Sequence, residues 1–372
     1  MFEHRNRLYM LSENKPLYEK ICALHADIKD SFPFIVRVAV AIYDPKTKVL
    51  KTLLHSSGSD NPLDHYQASL EGVASLQLLY DNKIIRIVND LDKYLNNQNE
   101  HSKKIKEQGY KASYTMPIYN QGDFIGFIFF NANKKNVFTK SVISQIDLYA
   151  NILSLMIAND LSTIQTLTAA IKTTGNIAHV KDPETGAHID RVSYYSRIIA
   201  NALADKYELN DRYIEHIFMF APLHDIGKIG IPDNILQKPG PLNEDERKSM
   251  NTHTTKGGEI ITNLINNFGL VNFEDVDILY NIAKYHHEAI DGSGYPKGIK
   301  GDEIPLEARI VAVADIFDAL TNARYYKEAW SNAKSIEVLN KLSEEKLDKD
   351  CVNALIENMD KIEIVQKKFS DI

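Results

Sequence analysis

The chain has 372 residues, 44% hydrophobic and 25% charged, which is ordinary for globular protein and more than one compact domain usually holds. A net charge of −7 gives no general attraction for nucleic acid, so no DNA or RNA polymer is expected as a partner, and a phosphate ligand needs local cations or metal ions. Cys22 and Cys351 make no disulfide framework, the first ten residues lack a signal-peptide core, and apolar runs such as 152–158 are short for a bilayer, so a cytoplasmic protein without membrane contact is expected.

In chain order, residues 17–28 have helical spacing of apolar positions. Residues 36–43 are β-branched and mostly apolar, Asp44-Pro45-Lys46 reads as a turn, and 49–54 returns as the hairpin partner. A short strand is predicted over 84–88. Residues 114–119, then Asn120-Gln121-Gly122-Asp123, then 124–131 read as strand, tight turn, strand. The first domain, 1–140, is therefore predicted as α+β, an antiparallel sheet with helices around it.

From Val142 the pattern changes. Ile143, Ile146, Ala150, Leu153, Ile157, Ile164, Leu167, Ile171 and Ala178 fall on a seven-residue 3/4 repeat, interrupted at Asp160 and Thr174. This predicts one long connecting helix over 141–180 with a coiled-coil stripe and a homodimer through it. The alternative is that the first half of the stripe packs onto the preceding sheet. Beyond it, 181–372 reads as all-α, with helical periodicity over 193–207, 211–223, 244–267, 276–287 and 306–322. Gly- and Pro-rich loops cover 227–241 and 291–305.

Six of the twelve histidines lie between His188 and His287. His224-Asp225 sets an imidazole beside a carboxylate, a pair able to share a divalent cation, and a carboxylate can bridge two. Glu184 and His188 are four residues apart and share a face if that segment is helical. His253, the tandem His286-His287, and Asp315, a carboxylate interrupting an apolar helix, complete the set. Any one of these residues is ordinary alone. Together Glu184, His188, His224, Asp225, His253, His286, His287 and Asp315 point to a mixed N/O site for more than one metal.

The run from His224 to Pro232, the run His286-His287-Glu288-Ala289-Ile290-Asp291-Gly292-Ser293-Gly294-Tyr295-Pro296, and the run from Ile304 to Asp315 followed by Phe317-Asp318-Ala319-Leu320-Thr321 resemble the HD-GYP phosphodiesterases over about 180–340. His188, His224, Asp225 and Asp315 suffice for the wider HD superfamily, and Gly294-Tyr295-Pro296 narrows the likeness. The resemblance implies hydrolysis of cyclic di-GMP to the linear dinucleotide or to GMP. It implies two or three divalent metals, iron expected and manganese the alternative, with Glu184 at the position linked to a third. Such ions lower the pKa of a water and stabilise charge on phosphate oxygens.

Asp225 and Lys228 are then the catalytic candidates, Lys228 donating to a phosphate oxygen or helping the leaving group, unless it is a solvated loop lysine. Arg324 and Lys327 would contact phosphate or a guanine edge. The family usually has Arg-Pro-Tyr where this chain has Arg324-Tyr325-Tyr326, which puts the local loop shape in doubt. Tyr295 would either stack on a base or pack the loop. Two alternatives stay open, a catalytically silent receptor for the same ligand and another cyclic dinucleotide as substrate, while Gly294-Tyr295-Pro296 argues against a phosphohydrolase acting on ordinary nucleotides. The N-terminal strand and turn order resembles a GAF domain, which implies a sensor whose ligand the sequence does not reveal, or a purely dimerising module.

Overall fold

The computed structural model describes residues 8–13, 15–57, 67–94, 108–179, 186–267, 275–322 and 329–370; of the side chains between 163 and 179 it describes only that of residue 166. The chain divides into two compact units, Met1–Thr163 and Ile164–Ile372.

In the first unit, β1 (Ile35–Asp44), β2 (Val49–Ser56), β3 (Gln67–Ser69), β4 (Arg86–Val88), β5 (Ala112–Asn120) and β6 (Asp123–Ala132) form one sheet in the order β3-β2-β1-β6-β5-β4. Every pairing is antiparallel, as predicted. The β5–β6 hairpin closes through Gln121 (φ 50°) and Gly122 (φ 96°), with Asn120 opposite Asp123. Two successive positive φ values give the turn whose hand matches strand twist. Alternate residues fill one face of the sheet: Val38, Val40, Tyr114, Met116, Ile118, Ile128 and Phe130 join Ile21, Leu24 and Ile28 of α1 (Leu17–Ser31) in a core. On the other face, Leu76 and Leu79 of α2 (Ala74–Asn82) pack with Leu50 and Phe127. A single turn, α3 (Leu91–Tyr94), follows β4.

The helix α4 (Lys140–His179) is continuous over 40 residues, as predicted. Its stripe needs correction. Ile146, Ala150, Leu153 and Ile157 are fully buried in the sheet core, so the first half of the seam is occupied by its own unit and not by a partner chain. The reason is elementary: a sheet face this apolar must be covered, and the adjoining helix covers it. The exposed face of α4 instead carries Leu148 and Leu155, 67% and 73% exposed and seven residues apart. The expectation that no stretch could cross a bilayer also changes: among the described residues, Lys140–Ser162 passes by length and composition, with mean hydropathy 1.4. Of that window 22% is buried, the sheet-facing stripe included, so burial covers only part of its apolar surface.

The second unit is helical: α5 (Gly186–Tyr207), α6 (Asp211–Phe220), α7 (Asp233–Leu236), α8 (Glu244–Asn267), α9 (Val276–Tyr285), α10 (Leu306–Thr321), α11 (Asn332–Leu342), α12 (Lys349–Glu357) and α13 (Met359–Lys368). The single turn α7 falls in the predicted loop 227–241, and the last three helices were not foreseen. They are short, and Ser331 and Asp348 cap the first two by accepting backbone N–H bonds. Leu339, Cys351, Val352, Leu355 and Ile362 join one core with Val192, Tyr195, Ile199, Ile217, Ile282 and Phe317.

Candidate metal centre

Five separate segments deliver seven of the eight predicted ligands to one place. His188 stands in the first turn of α5. Helix α6, capped by the Asn210 side chain, runs into a 3₁₀ turn, Ala221–Leu223, that sets His224 and Asp225 at its end. His253 comes from the middle of α8, His286 and His287 from the end of α9, and Asp315 from α10. Close backbone approach makes this possible. A Cβ on Gly227 would lie 1.8 Å from the His253 carbonyl oxygen and 2.5 Å from the Gly257 nitrogen, so only glycine lets the loop after Asp225 lie against α8.

The residues form two adjoining groups, Asp225 with His253, His286 and His287, and His188 with His224 and Asp315, each with potential ligand atoms within 4.8 Å of one another. Asp225 Oδ1 is 3.2 Å from His253 Nε2 and 3.6 Å from His286 Nε2, while its Oδ2 is 3.3 Å from His224 Nε2 and 2.7 Å from Lys228 Nζ. Asp315 Oδ1 is 3.8 Å from His188 Nε2 and 4.0 Å from His224 Nε2. Asp225 therefore faces both groups.

The imidazole orientations test whether these side chains fit metal. His224 Nδ1 donates to the Ala221 carbonyl, His253 Nδ1 to that of Met250 and His286 Nδ1 to that of Ile282, each at 2.8 Å. His188 Nδ1 donates to Asp318 Oδ2 at 2.8 Å. A carbonyl only accepts, so the proton sits on Nδ1 and each Nε2 lone pair is turned toward the carboxylates. Nε2 of His253 and of His286 and Oδ1 of Asp225 are buried without a hydrogen bond, where such atoms are rarely left so. The four fixed tautomers and two carboxylates suit borderline divalent ions.

Electrostatics agree. Burial alone would raise the Asp225 carboxyl, but Lys228 and His224 outweigh it and hold the group well below its ordinary range. Burial lowers His286 and, more strongly, His287, keeping both neutral and able to ligate.

Sequence reasoning missed the support of His188. Asp318, buried one turn after Asp315, also receives Arg191 Nε at 2.6 Å and Nη2 at 3.0 Å, and Arg191 Nη1 donates to the Phe369 carbonyl at 2.8 Å. A second carboxylate three residues after a ligand in an apolar helix, and an arginine three residues after His188, were the available signals.

Tyr295 packs on His287, ring centroids 4.9 Å apart at 33°, and its backbone nitrogen donates to the His287 carbonyl at 3.1 Å. These contacts pack the loop against the ligand set. Lys228 is not a solvated loop lysine, since it pairs with Asp225. Glu184, Arg324 and Lys327 lie outside the described residues.

An all-helical unit presenting His-Asp and flanking His and Asp ligands at its centre defines a metal-binding HD fold. The chain belongs to the HD-domain family, whose profile matches residues 155–351.

Among similar proteins, a "Probable cyclic di-GMP phosphodiesterase" of Vibrio cholerae is 41% identical over 208 residues, covering 55% of this chain and 47% of that protein. "Cyclic di-GMP phosphodiesterase response regulator RpfG" of Xanthomonas campestris is 42% identical over 190 residues, 51% of this chain and 47% of that one. "3'3'-cGAMP-specific phosphodiesterase 2" of Vibrio cholerae is 36% identical, over 53% and 35%. The chain thus spans about half or less of the length of these curated relatives. Similar solved structures include the phycocyanobilin-bound GAF domain of a cyanobacterial phytochrome (16% identity, TM-score 0.32, 38% of this chain and 85% of that one). Another is the GAF domain of an Acinetobacter phosphoenolpyruvate-protein phosphotransferase (12%, 0.32, 42% and 90%).

Proposed function

We propose that this chain is a metal-dependent phosphodiesterase that hydrolyses a cyclic dinucleotide, cyclic di-GMP before 3'3'-cGAMP, to the linear dinucleotide or the mononucleotide. The observation that carries the reading is the set of four imidazoles whose Nδ1 protons are tied down and whose Nε2 atoms face Asp225 and Asp315. His188, His224, Asp225, His253, His286, His287 and Asp315 would hold two divalent ions, iron or manganese, with Glu184 available for a third. Ions held there supply Lewis-acid activation of water and of the scissile phosphate.

The chain's own residues do the remainder. Asp225, kept ionised, offers one oxygen to each ligand group. Lys228, 2.7 Å from Asp225 Oδ2, brings a proton and a positive charge to the substrate side, for a phosphate oxygen or the leaving group. Tyr295 braces His287, and Arg324 and Lys327 are assigned phosphate or guanine contacts by their motif.

The deciding experiment is metal analysis of anaerobically purified protein, with product analysis on cyclic di-GMP and 3'3'-cGAMP. Asp225→Ala should lose metal and turnover. Full metal content with normal hydrolysis in that variant would refute the reading, and metal binding without turnover in the wild type would make the chain a receptor.

The functional division proposed is a sensor over 1–140, a connecting helix over 141–180 and the enzyme over 181–372, in the cytoplasm and without membrane attachment; the free cysteines are consistent with that compartment. A homodimer is proposed through the Leu148–Leu155 face of α4. From 141 to 159 that helix holds one charged residue, Asp147, which accepts a hydrogen bond from Tyr114 at 2.6 Å. Light scattering at tens of micromolar should find a dimer, and a monomer when both leucines are changed to Glu. A monomeric wild type or a dimeric double variant refutes it.

A further inference from the structure

The sheet face of the first unit that turns away from α1 and α4 carries a cation with no counter-charge among the described residues. Arg86, on the edge strand β4, pairs with Thr115 of β5 in the register of the sheet. Its Nη1 donates to Ser75 Oγ at 2.8 Å and its Nη2 to Thr115 Oγ1 at 3.1 Å. Its Nε is buried and makes no hydrogen bond. The guanidinium carbon is 5.8 Å from the centre of the Tyr94 ring. Among the described residues no carboxylate pairs with it. Arg197, Arg212 and Arg309, by contrast, each have one: Glu215, Asp275 and Asp348.

Neutral partners do not neutralise a guanidinium. Withdrawing one from water costs several kcal/mol unless an opposite charge accompanies it. A hydroxyl that accepts from arginine still has its own hydrogen to donate. Ser75 and Thr115 therefore stand as two O–H donors beside the one cation, and the buried Nε–H is a third donor waiting for an acceptor. Ser75 lies in the first turn of α2, which has no side-chain cap and no acidic residue, so the potential there is further positive. Thr115 is fully buried, whereas Arg86 and Ser75 keep part of their surface exposed.

We propose that Arg86, Ser75 and Thr115 form a binding site for an oxyanion, the carboxylate or phosphate group of a small molecule, in the N-terminal unit. The site is remote in sequence from every metal ligand and independent of the reading of the metal centre. It assigns the unit a ligand class: an acidic metabolite rather than a neutral or cationic one.

The test uses the intact chain labelled with nitrogen-15. The arginine Nε–H resonance missing from Arg86→Gln is that of Arg86. Inorganic phosphate and acetate are then titrated separately to about 50 mM, a range that detects millimolar affinity. The expected result is a saturable shift of that resonance with at least one of the two anions. A response to phosphate alone assigns a phosphate monoester, to acetate alone a carboxylate, and either supports the site. Thr115→Val, which keeps the shape of the strand residue, should weaken the affinity about tenfold while the resonance remains, as loss of one hydrogen bond to a charged group does. No saturable shift with either anion overturns the proposal, and so does an affinity unchanged in Thr115→Val and Ser75→Ala.

Discussion

Asp318→Asn separates two roles of one buried carboxylate. Asp318 accepts from His188 Nδ1 at 2.8 Å and from Arg191 Nε at 2.6 Å and Nη2 at 3.0 Å, and Arg191 is 2% exposed. The substitution keeps the volume and removes the charge. Breaking a buried ion pair by neutralising one partner costs about 3–5 kcal/mol, and the retained amide oxygen places Asn near the lower figure. For a unit of this size that is a fall in Tm of roughly 6–12 °C, and it should appear with or without metal. The second effect is on His188. Loss of an outer-shell carboxylate typically weakens metal affinity about 10–100-fold, or about 1.4–2.8 kcal/mol.

Only the group of His188, His224 and Asp315 depends on this support, so chelator competition should release one ion early and leave the other at the wild-type rate. The pH profile adds a check of sign. Burial would raise the Asp318 carboxyl, but the hydrogen bonds and charges of His188 and Arg191 lower it. A depressed carboxyl contributes its stability above the unfolded value near 4 and loses it as the pH falls through the folded one. The Asn variant should lack that acid limb. Equal release of both ions in wild type and variant, with equal acid sensitivity, would refute this account of His188.

Two further outcomes follow from packing and charge. Gly227→Ala must push the loop and α8 apart by about 1 Å or more, because its Cβ would lie 1.8 Å from a backbone oxygen; metal content should fall sharply while the first unit melts as before, and a fully metallated variant would remove the close-approach argument. His25 is buried, with Nε2 at 3.1 Å from the Ile35 carbonyl and Nδ1 at 2.7 Å from Ser56 Oγ, and burial lowers its pKa to about 4. Its folded value is below its unfolded one near 6.5, so the first unit should be fully stabilised above 6.5 and lose up to about 3 kcal/mol as the pH falls toward 4. Calorimetry from pH 7 to 4 on wild type and His25→Gln checks this: the wild type should lose stability that the variant does not, and parallel curves would mean that His25 takes up its proton in the folded unit as readily as in the unfolded chain.

Much of this architecture was readable beforehand because it rests on short-range periodicity. The β5–β6 hairpin announced itself through Gln121-Gly122, and the apolar period of α8 and α10 matched their observed spans closely. The seam of α4 misled because a seven-residue stripe is the same signal whether a partner helix or the chain's own sheet covers it. The ligands were legible as residue types in ordered motifs. Their tautomers were not, because the carbonyls of Ala221, Met250 and Ile282 carry no side-chain signal. Asp318 and Arg191 were hidden by distance, 127 residues apart in sequence and 2.6 Å apart in space.

The ligand positions also have a topological consequence. His188 and Asp315 are the outermost described ligands, with His224, Asp225, His253, His286 and His287 spaced between them. An ion that joins them knots the chain into successive closed loops, much as a cross-link would, and restricts the unfolded chain most over that span. Helices α11, α12 and α13 follow the last of these ligands and so hang outside every loop. They are retained by the shared core and by the bond from Arg191 to the Phe369 carbonyl. Loading with metal should therefore protect 188–315 from proteolysis far more than 332–368, making the C-terminal helices the part of the domain whose order the ion does not directly guarantee.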